Sequence, residues 1–514
     1  MSGLIGSILA TTNALKSNQL AIETAGKNMA NVNNASYSRQ RVEFGISGGI
    51  SATFITQQRD AIIDNKLIQE YAVSGSLEAQ NKILQQLQVV FGEQITDDVS
   101  SPDTLKGSTP SDGMEAGLSA AITNFFNAFQ ALSADPNDTY AKAAVIAQAE
   151  EMVSQFNTLA EDLKNLDKDI LRSVDGDVDR VNSLLGEISE LNGEIAKIEI
   201  REPGSAYEFR DLRQQKLEEL AKYIDFETRE MGYGGQIQVY VKDKGASGGN
   251  DVVLVDRTTV QNQIQFNEAS NELYFSSYTT RPLGVSPNAT ALKISGGSLH
   301  GYLSIRSETD PYGGATSFAT GALSKMREDL DMLAREIATQ ISGIYDDVTN
   351  PAAPELFFDN NDHPDFFNPA DITAENIRLY KGDPLGTYGT VIDPLNVTTL
   401  KASNNPGDGA NELAVQIAEL GENTSSNLRN STFIEFVSDM ATGIGYELSS
   451  SNYLLENQEL VMSQLQDQRA SVSGVSIDEE LANIIRFQRS FEASAKVLKV
   501  MDELLELITN GLVR

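Results

Sequence analysis

SIDEELANIIRFQRSFEASAKVLKVMDELLELITNGL, residues 476 to 512, carries Ile484, Phe491, Leu498, Leu505 and Leu512 at every seventh position. Phe487, Met501 and Ile508 form a second seven-residue row three positions further on. Two such rows make one apolar seam along a helix. Ser476 is an N-cap with Glu479 three residues later, and Asp478 and Glu480 add negative charge where the helix dipole favours it. Nothing interrupts this helix before Gly511, so at 1.5 Å per residue it runs roughly 50 Å. A helix this long with one narrow seam needs a partner.

The other end of the chain supplies a candidate. Ile8, Leu15, Ile22 and Met29 are spaced by sevens from Met1, with Leu4, Ile5, Ala25 and Val32 beside them. This seam is weaker, because Thr11 and Asn18 stand where a strong coiled coil places leucine. Both segments could be core helices of an ordinary bundle. A seam at each terminus favours pairing, with everything between them inserted into a coiled coil.

Composition narrows the function classes. The 514 residues allow three or four domains with ample core. The chain has no cysteine, which removes disulfides, thiolate metal sites and cysteine nucleophiles. Its net charge of −34 makes nucleic acid and anionic membrane surfaces poor partners. That charge is not evenly spread: residues 1 to 66 hold 6 Lys/Arg against 4 Asp/Glu, and residues 477 to 514 hold 5 against 7. The two ends therefore sum to zero. Neutral seams can pack densely while an acidic middle stays solvated. The leading segment lacks the pattern of a secretory signal, and no run reaches transmembrane length.

In order along the chain, the first helix fades in the asparagine-rich turn at 31 to 38, and 46 to 56 reads as loop or short strand. Helices are expected at 59 to 91, 118 to 132, 140 to 171, 178 to 200 and 207 to 221. Alternation at 236 to 241, the run at 252 to 255 and a hairpin joining 264–266 to 273–275 mark β structure. Helix returns at 322 to 345 and from 411 to the end, with a turn at 471 to 475. The expected fold is mainly α with an inserted β domain. Its parts are a terminal coiled coil of 1–58 with 476–514, a long-helix body of 59–223 with 311–350 and 407–475, a β-rich domain at 224–310, and a small irregular or β insertion at 351–406.

Motifs for chemistry are weak. GxSxG occurs at 45 to 49 and again at 245 to 249, in glycine-rich turns without the strand and helix of a nucleophile elbow. Asp175, Asp177 and Asp179 are spaced like calcium ligands, but Arg180 and Gly186 stand where Gly and Glu are needed. Asp359, Asn361 and His363 fail the same test. With His300 and His363 far apart and no phosphate or dinucleotide loop, the expectation is no enzyme, metal or cofactor.

The run Asn28, Ala30, Asn31, Val32, Asn33, Tyr37, Ser38, Arg39, Gln40 resembles the N-terminal signature of flagellar rod, hook and hook-associated proteins. The match departs at Ala35 and Ser36, where that family has Pro-Gly. Gly474 to Glu480, with Asp478, Glu479 and Glu480, continuing to Phe487, Gln488, Arg489 and Phe491, resembles the C-terminal half of the signature. FFNAFQALSADP at 125 to 136, and Gly296 to Gly301 followed by Arg306, resemble the hook-associated branch rather than hook or rod. The resemblance implies that the paired terminal helices line the inner tube of the flagellum and that the β parts face outward. It implies a structural subunit at the hook–filament junction that assembles helically with itself. Its neighbours would be the hook protein below and the next hook-associated protein above. It also implies export without a cleaved signal to the extracellular flagellum, after a cytosolic chaperone has held the C-terminal seam at Phe487, Phe491, Leu498 and Leu505. A hook or rod protein, or an exported enzyme with a hydrolase domain in its middle, is the alternative.

Overall fold

A computed structural model describes residues 2–34, 36–47, 50–91, 117–202, 204–232, 234–242, 251–277, 290–307, 321–345, 357–359, 371–380, 395–403 and 409–512. The chain opens with helix α1 (Ser2–Ala30) and the hairpin β1 (Gln40–Ser47) and β2 (Ile50–Gln57), followed by helices α2 (Ala61–Phe91), α3 (Leu118–Ala134), α4 (Thr139–Glu199) and α5 (Tyr207–Ala221). Strands β3 (Glu227–Glu230), β4 (Ile237–Val241), β5 (Val252–Asp256), β6 (Thr259–Val260), β7 (Asn262–Asn267), β8 (Glu272–Ser277) and β9 (Thr290–Leu292) come next. Then follow α6 (Gly297–Arg306), α7 (Ala322–Tyr345), β10 (Phe358–Asp359), β11 (Arg378–Leu379), α8 (Glu412–Leu420), α9 (Phe433–Ser473) and α10 (Ile477–Leu512). The fold is mainly helical with small antiparallel sheets, the class that the sequence pattern predicts.

Two compact units divide the chain: residues 1–77, 175–300 and 455–514 form the first, and 78–174 with 301–454 the second. In the first unit, the sheet β3-β4-β5-β6 and the sheet β7-β8-β9 sit beside α4, held by asparagines. Asn182 exchanges both hydrogen bonds with the backbone of Ile264, each 2.9 Å. Asn192 donates to the carbonyls of Ile237 (3.0 Å) and Arg257 (2.6 Å). These side chains satisfy strand edges that would otherwise be unpaired. Gly75 on α2 lies so close to the end of α5 that a Cβ would overlap the Lys222 carbonyl. Gly297, at φ 84°, is required for a similar reason against the Tyr223 backbone, and a Cβ on Gly296 would crowd the Ala72 side chain at 3.1 Å. That explains the glycine pair singled out in the sequence.

The second unit is organised by aromatic packing. Phe125 meets Phe126 and Phe129 with ring centroids 5.2 Å away in each case, and Phe357 at 5.9 Å. Phe433 stacks on Phe126 at 5.5 Å. Leu132 is buried with them. The residues at 351 to 406 contribute Phe357 and Phe358 to this core, where β10 pairs with β11 through Phe358 and Leu379.

The main departure from the sequence reading is α4, one helix where separate helices at 140–171 and 178–200 are expected. Gly176 and the flanking aspartates look like a stop signal, but Val174, Val178 and Val181 on the opposite face are buried, and tertiary packing overrides local propensity. Asp175, Asp177 and Asp179 are therefore helical residues rather than a calcium loop, and Asp177 accepts a hydrogen bond from Ser298. Asp359 pairs with Arg378 at 2.9 Å, while Asn361 and His363 lie outside the described residues. In the first GxSxG stretch, Gly45, Ile46 and Ser47 belong to a strand paired with β2, with Ser47 opposite Ile50, which is a hairpin and not a strand-to-helix elbow. The second stretch lies outside the described residues. His300 shares a 2.9 Å hydrogen bond with Ser76, which is buried on α2.

Candidate assembly interface

Helices α1 and α10 lie along each other in the first unit. The Thr11 hydroxyl reaches the Met501 sulfur (3.9 Å), and Arg39 reaches Glu479, so the two run antiparallel. On α10 the residues turned most toward α1 are those of the heptad rows: Ile484, Phe487, Leu498, Met501 and Leu505 are half-buried, and Phe491 is 37% exposed. On α1, Ile8, Leu15, Ile22, Met29 and Val32 are likewise half-buried. The side chains of Leu4, Ile508 and Leu512 lie outside the described residues. The fully buried face of α1 is instead small and polar: Asn18, Ala21, Thr24, Ala25 and Asn28. Reading only for large apolar residues misses this face, because small side chains let two backbones approach closely. Of the two positions that looked like flaws in the seam, Asn18 belongs to this face and Thr11 is half-buried.

Among the described residues, one apolar row of α10 is left exposed. Val497, Val500, Leu504 and Leu507 recur at helical spacing and are exposed, up to 71% at Leu507. Leu481 and Ile485 near the start of α10, Leu9 on α1, and Phe44 and Phe54 on the β1–β2 hairpin are also exposed. Phe44 touches Phe487, with centroids 6.4 Å apart, and Arg486 lies over the Phe487 ring at 4.9 Å. So much apolar surface on one module marks an interaction site.

The base of the helix pair is a polar knot built from the signature residues. Asn28 is 1% exposed; its Oδ1 accepts from the Tyr37 hydroxyl (2.8 Å) and the Gln40 amide (3.0 Å), while its Nδ2 donates to the Gln40 carbonyl (2.8 Å). One asparagine thus closes the turn from α1 into β1. Asn31 donates to the Lys27 carbonyl at 2.9 Å as α1 ends, Asn33 is exposed, and Ala35 lies outside the described residues. Arg39 forks onto α10, with Nη1 2.7 Å from Glu479 and Nη2 2.6 Å from the buried Glu480. Ser476 caps α10 through the Glu479 amide at 3.5 Å, so the Glu479 carboxylate serves Arg39 while its amide serves the cap. Asp478 and Gln488 are exposed.

Beneath the knot lies a buried charge cluster that no local motif announces. Arg59 pairs with Asp64 (2.8 Å) and Asp211 (3.6 Å), and Arg469 pairs with Asp64 (3.2 Å) and Glu218 (2.9 Å). Asp211 also accepts from Gln57 (2.7 Å) and the Ser38 amide (3.5 Å). Burial pushes the Asp211 carboxyl up to about 6, against the pull of Arg59. Burial also raises Asp64, opposed by Arg59 and Arg469, and holds the Tyr37 phenol well above its usual range with help from Asp211. For Arg39, burial works against the cation, but Glu479 and Glu480 outweigh it and hold the guanidinium above its ordinary value. Residues from α2, α5, α9 and the turn after α1 thus meet in one buried network. Such a network is rigid only when all its members are in place. Among the described residues no cluster suited to a metal ion occurs, and no helix is long and apolar enough to cross a membrane.

Paired terminal helices with an open apolar row, closed at their base by a polar knot, belong to a chain that is similar to axial components of the bacterial flagellum. Residues 109–347 match the helical domain of flagellar hook-associated protein FlgK, and residues 466–511 match the C-terminal domain of the flagellar basal body rod FlgEFG proteins. Within the axial class, the chain is similar to flagellar hook-associated protein 1 over nearly its whole length. It is 24% identical to that protein of Bacillus subtilis, over 97% of this chain and 96% of the relative, and 22% identical to that of Escherichia coli, over 99% and 100%. The solved structure of the flagellar hook junction protein FlgK from Burkholderia pseudomallei shares the fold, with TM-score 0.57 and 14% identity over 80% of this chain and all of that one.

Proposed function

We propose that the chain is a structural, non-catalytic subunit of the hook–filament junction, polymerising helically with copies of itself through α1 and α10. The hook protein would lie on one side and the next hook-associated protein on the other. The observation that carries this reading is the uncovered row Val497, Val500, Leu504 and Leu507 on a helix whose seam is already engaged with α1. A helix with one row paired within its chain and a second row open suits a heterologous contact, which extends into a ring or helix of subunits. Near-neutral ends in a chain of net charge −34 fit the same purpose. Before assembly, the half-buried seam at Phe487, Phe491, Leu498 and Leu505 is a helix-in-groove ligand for an export chaperone. The subunit then leaves the cell through the flagellar export channel.

The experiment is complementation of a strain lacking this chain, with hooks and filaments scored by electron microscopy. The reading expects hooks without filaments in the deletion strain. Wild type restores filaments, and V500D/L504D/L507D does not, although the purified variant melts like wild type. Filaments in the deletion strain would remove the junction role, and full rescue by the triple variant would move the assembly contact elsewhere. A pull-down with F491D/L498D tests the chaperone site, since undiminished capture would place that site off the seam.

A further inference from the structure

The apolar rows of α10 discriminate poorly between alignments. Ile484 with Phe487 and, fourteen residues on, Leu498 with Met501 offer α1 nearly the same surface, with Phe491 and Ser494 between them. On α1 the buried positions along the pair are small or polar, Asn18, Ala21, Thr24 and Ala25, and Thr11 is half-buried. Sliding one helix by seven residues, about 10 Å, keeps an apolar row against small side chains and loses apolar contact only where Ser494 takes the place of a larger residue. Register must then be set by something that occurs once.

Among the described residues, Arg39 is the one place where α10 meets the N-terminal segment through an ion pair. Its two terminal nitrogens hold Glu479 and Glu480, its amide donates to the Ser473 carbonyl at 2.9 Å, and its own carbonyl accepts from the Gln58 amide at 2.9 Å. All of its polar ends are thus fixed to the last turn of α9, the first turns of α10 and the end of the β1–β2 hairpin. Slippage by a heptad would leave the buried Glu480 without its cation, an uncompensated buried charge.

We propose that Arg39 is the positioning residue that fixes the register of the α1–α10 pair, with the heptad rows zipping outward from its fork on Glu479 and Glu480. The inference rests on the helix pairing itself and not on where in the flagellum the chain sits. Arg39 acts as a pin, and the seam supplies cohesion without alignment.

The chain has no cysteine, so register can be read by disulfide trapping between two introduced thiols, which accumulates a bridge even from transient pairing. T11C/M501C reports the observed register, and T11C/S494C and T11C/I508C report slips of one heptad. In the full-length chain with Arg39 intact, the first pair should bridge at least tenfold faster than the other two. In R39A the off-register bridges should rise to within about threefold of the first, with R39K in between. If R39A disturbs folding, the swap R39E/E479K/E480K provides the independent reading: it should restore the tenfold preference that R39E alone loses. The proposal is overturned if R39A keeps the wild-type preference, if the swap fails to restore it, or if the parent chain shows no preference. It is also overturned if N18A, with Arg39 intact, scrambles register to the same degree, since the polar position within α1 would then be the pin.

Discussion

Phe125 and Phe491 are the same side chain in two regions with opposite logic. In the second unit Phe125 is wholly buried, with four other phenylalanines within 6.3 Å of its ring centroid. On α10 Phe491 stays 37% exposed, although it occupies the centre of a heptad row. The aromatic core of the second unit completes its packing within that unit, whereas the seam of α10 leaves part of its own exposed. On the proposed reading, stability and assembly are carried by different residues, and substitution can separate them.

The widest separation should come from truncating each ring. Phe125→Ala should cost about 3–5 kcal/mol, the range for emptying a filled aromatic site, read as a shift of the denaturation midpoint. Phe491→Ala should cost less than half as much in the free chain while weakening chaperone capture. Equal costs for the two would show that the terminal pair is as complete a core as the body.

How much of this was legible in the sequence follows from the range of the forces involved. The heptad rows, the cap at Ser476 and the aromatic cluster at 125 to 132 are local patterns, and the chain displays them directly. The buried face of α1 was harder to see, because Asn18 and Thr24 count as polar although they are buried, and Asn28 is used for the hydrogen bonds of its amide. The cluster of Asp64, Asp211, Glu218, Arg59 and Arg469 was invisible. Its members come from three separated stretches, and a charged residue in a helix reads as a solvated one until the fold buries it. Arg39 stood out only as part of a resemblance, since nothing in its neighbours names Glu479 and Glu480 as its partners.

That invisible cluster gives the next contrast, between a charge buried at a cost and the same shape without it. Asp211 rises from 3.8 to about 6 on folding, so the native state holds a proton that the unfolded chain has released. Its contribution to stability is fully present below about pH 4 and is lost as pH rises through about 6. Asp211→Asn keeps the shape and removes the titration. The stability of wild type minus that of the variant should therefore fall by on the order of 2–3 kcal/mol between pH 4 and pH 7. Denaturant titrations of both proteins across that range provide the check. A difference that rose with pH would mean that the arginines dominate and that the buried carboxylate is stabilising when charged.

The smallest effect tests the place where local pattern and fold disagree most plainly, the middle of α4. Gly176 is exposed, has helical neighbours on both sides, and a Cβ there would meet nothing within 4 Å. If α4 is one helix of 61 residues, Gly176→Ala removes backbone freedom from the unfolded chain and leaves native contacts intact. The gain should be roughly 0.5–1 kcal/mol. If the chain instead turned at Asp175 and Gly176, as the sequence alone suggests, the glycine would be serving a backbone shape that alanine resists, and the same substitution would destabilise. The sign of a shift of a few degrees in the melting temperature, with helical circular dichroism followed throughout, decides between them. A gain shows that the buried valines on the far face hold the helix through its weakest residue, and a loss breaks α4 in two.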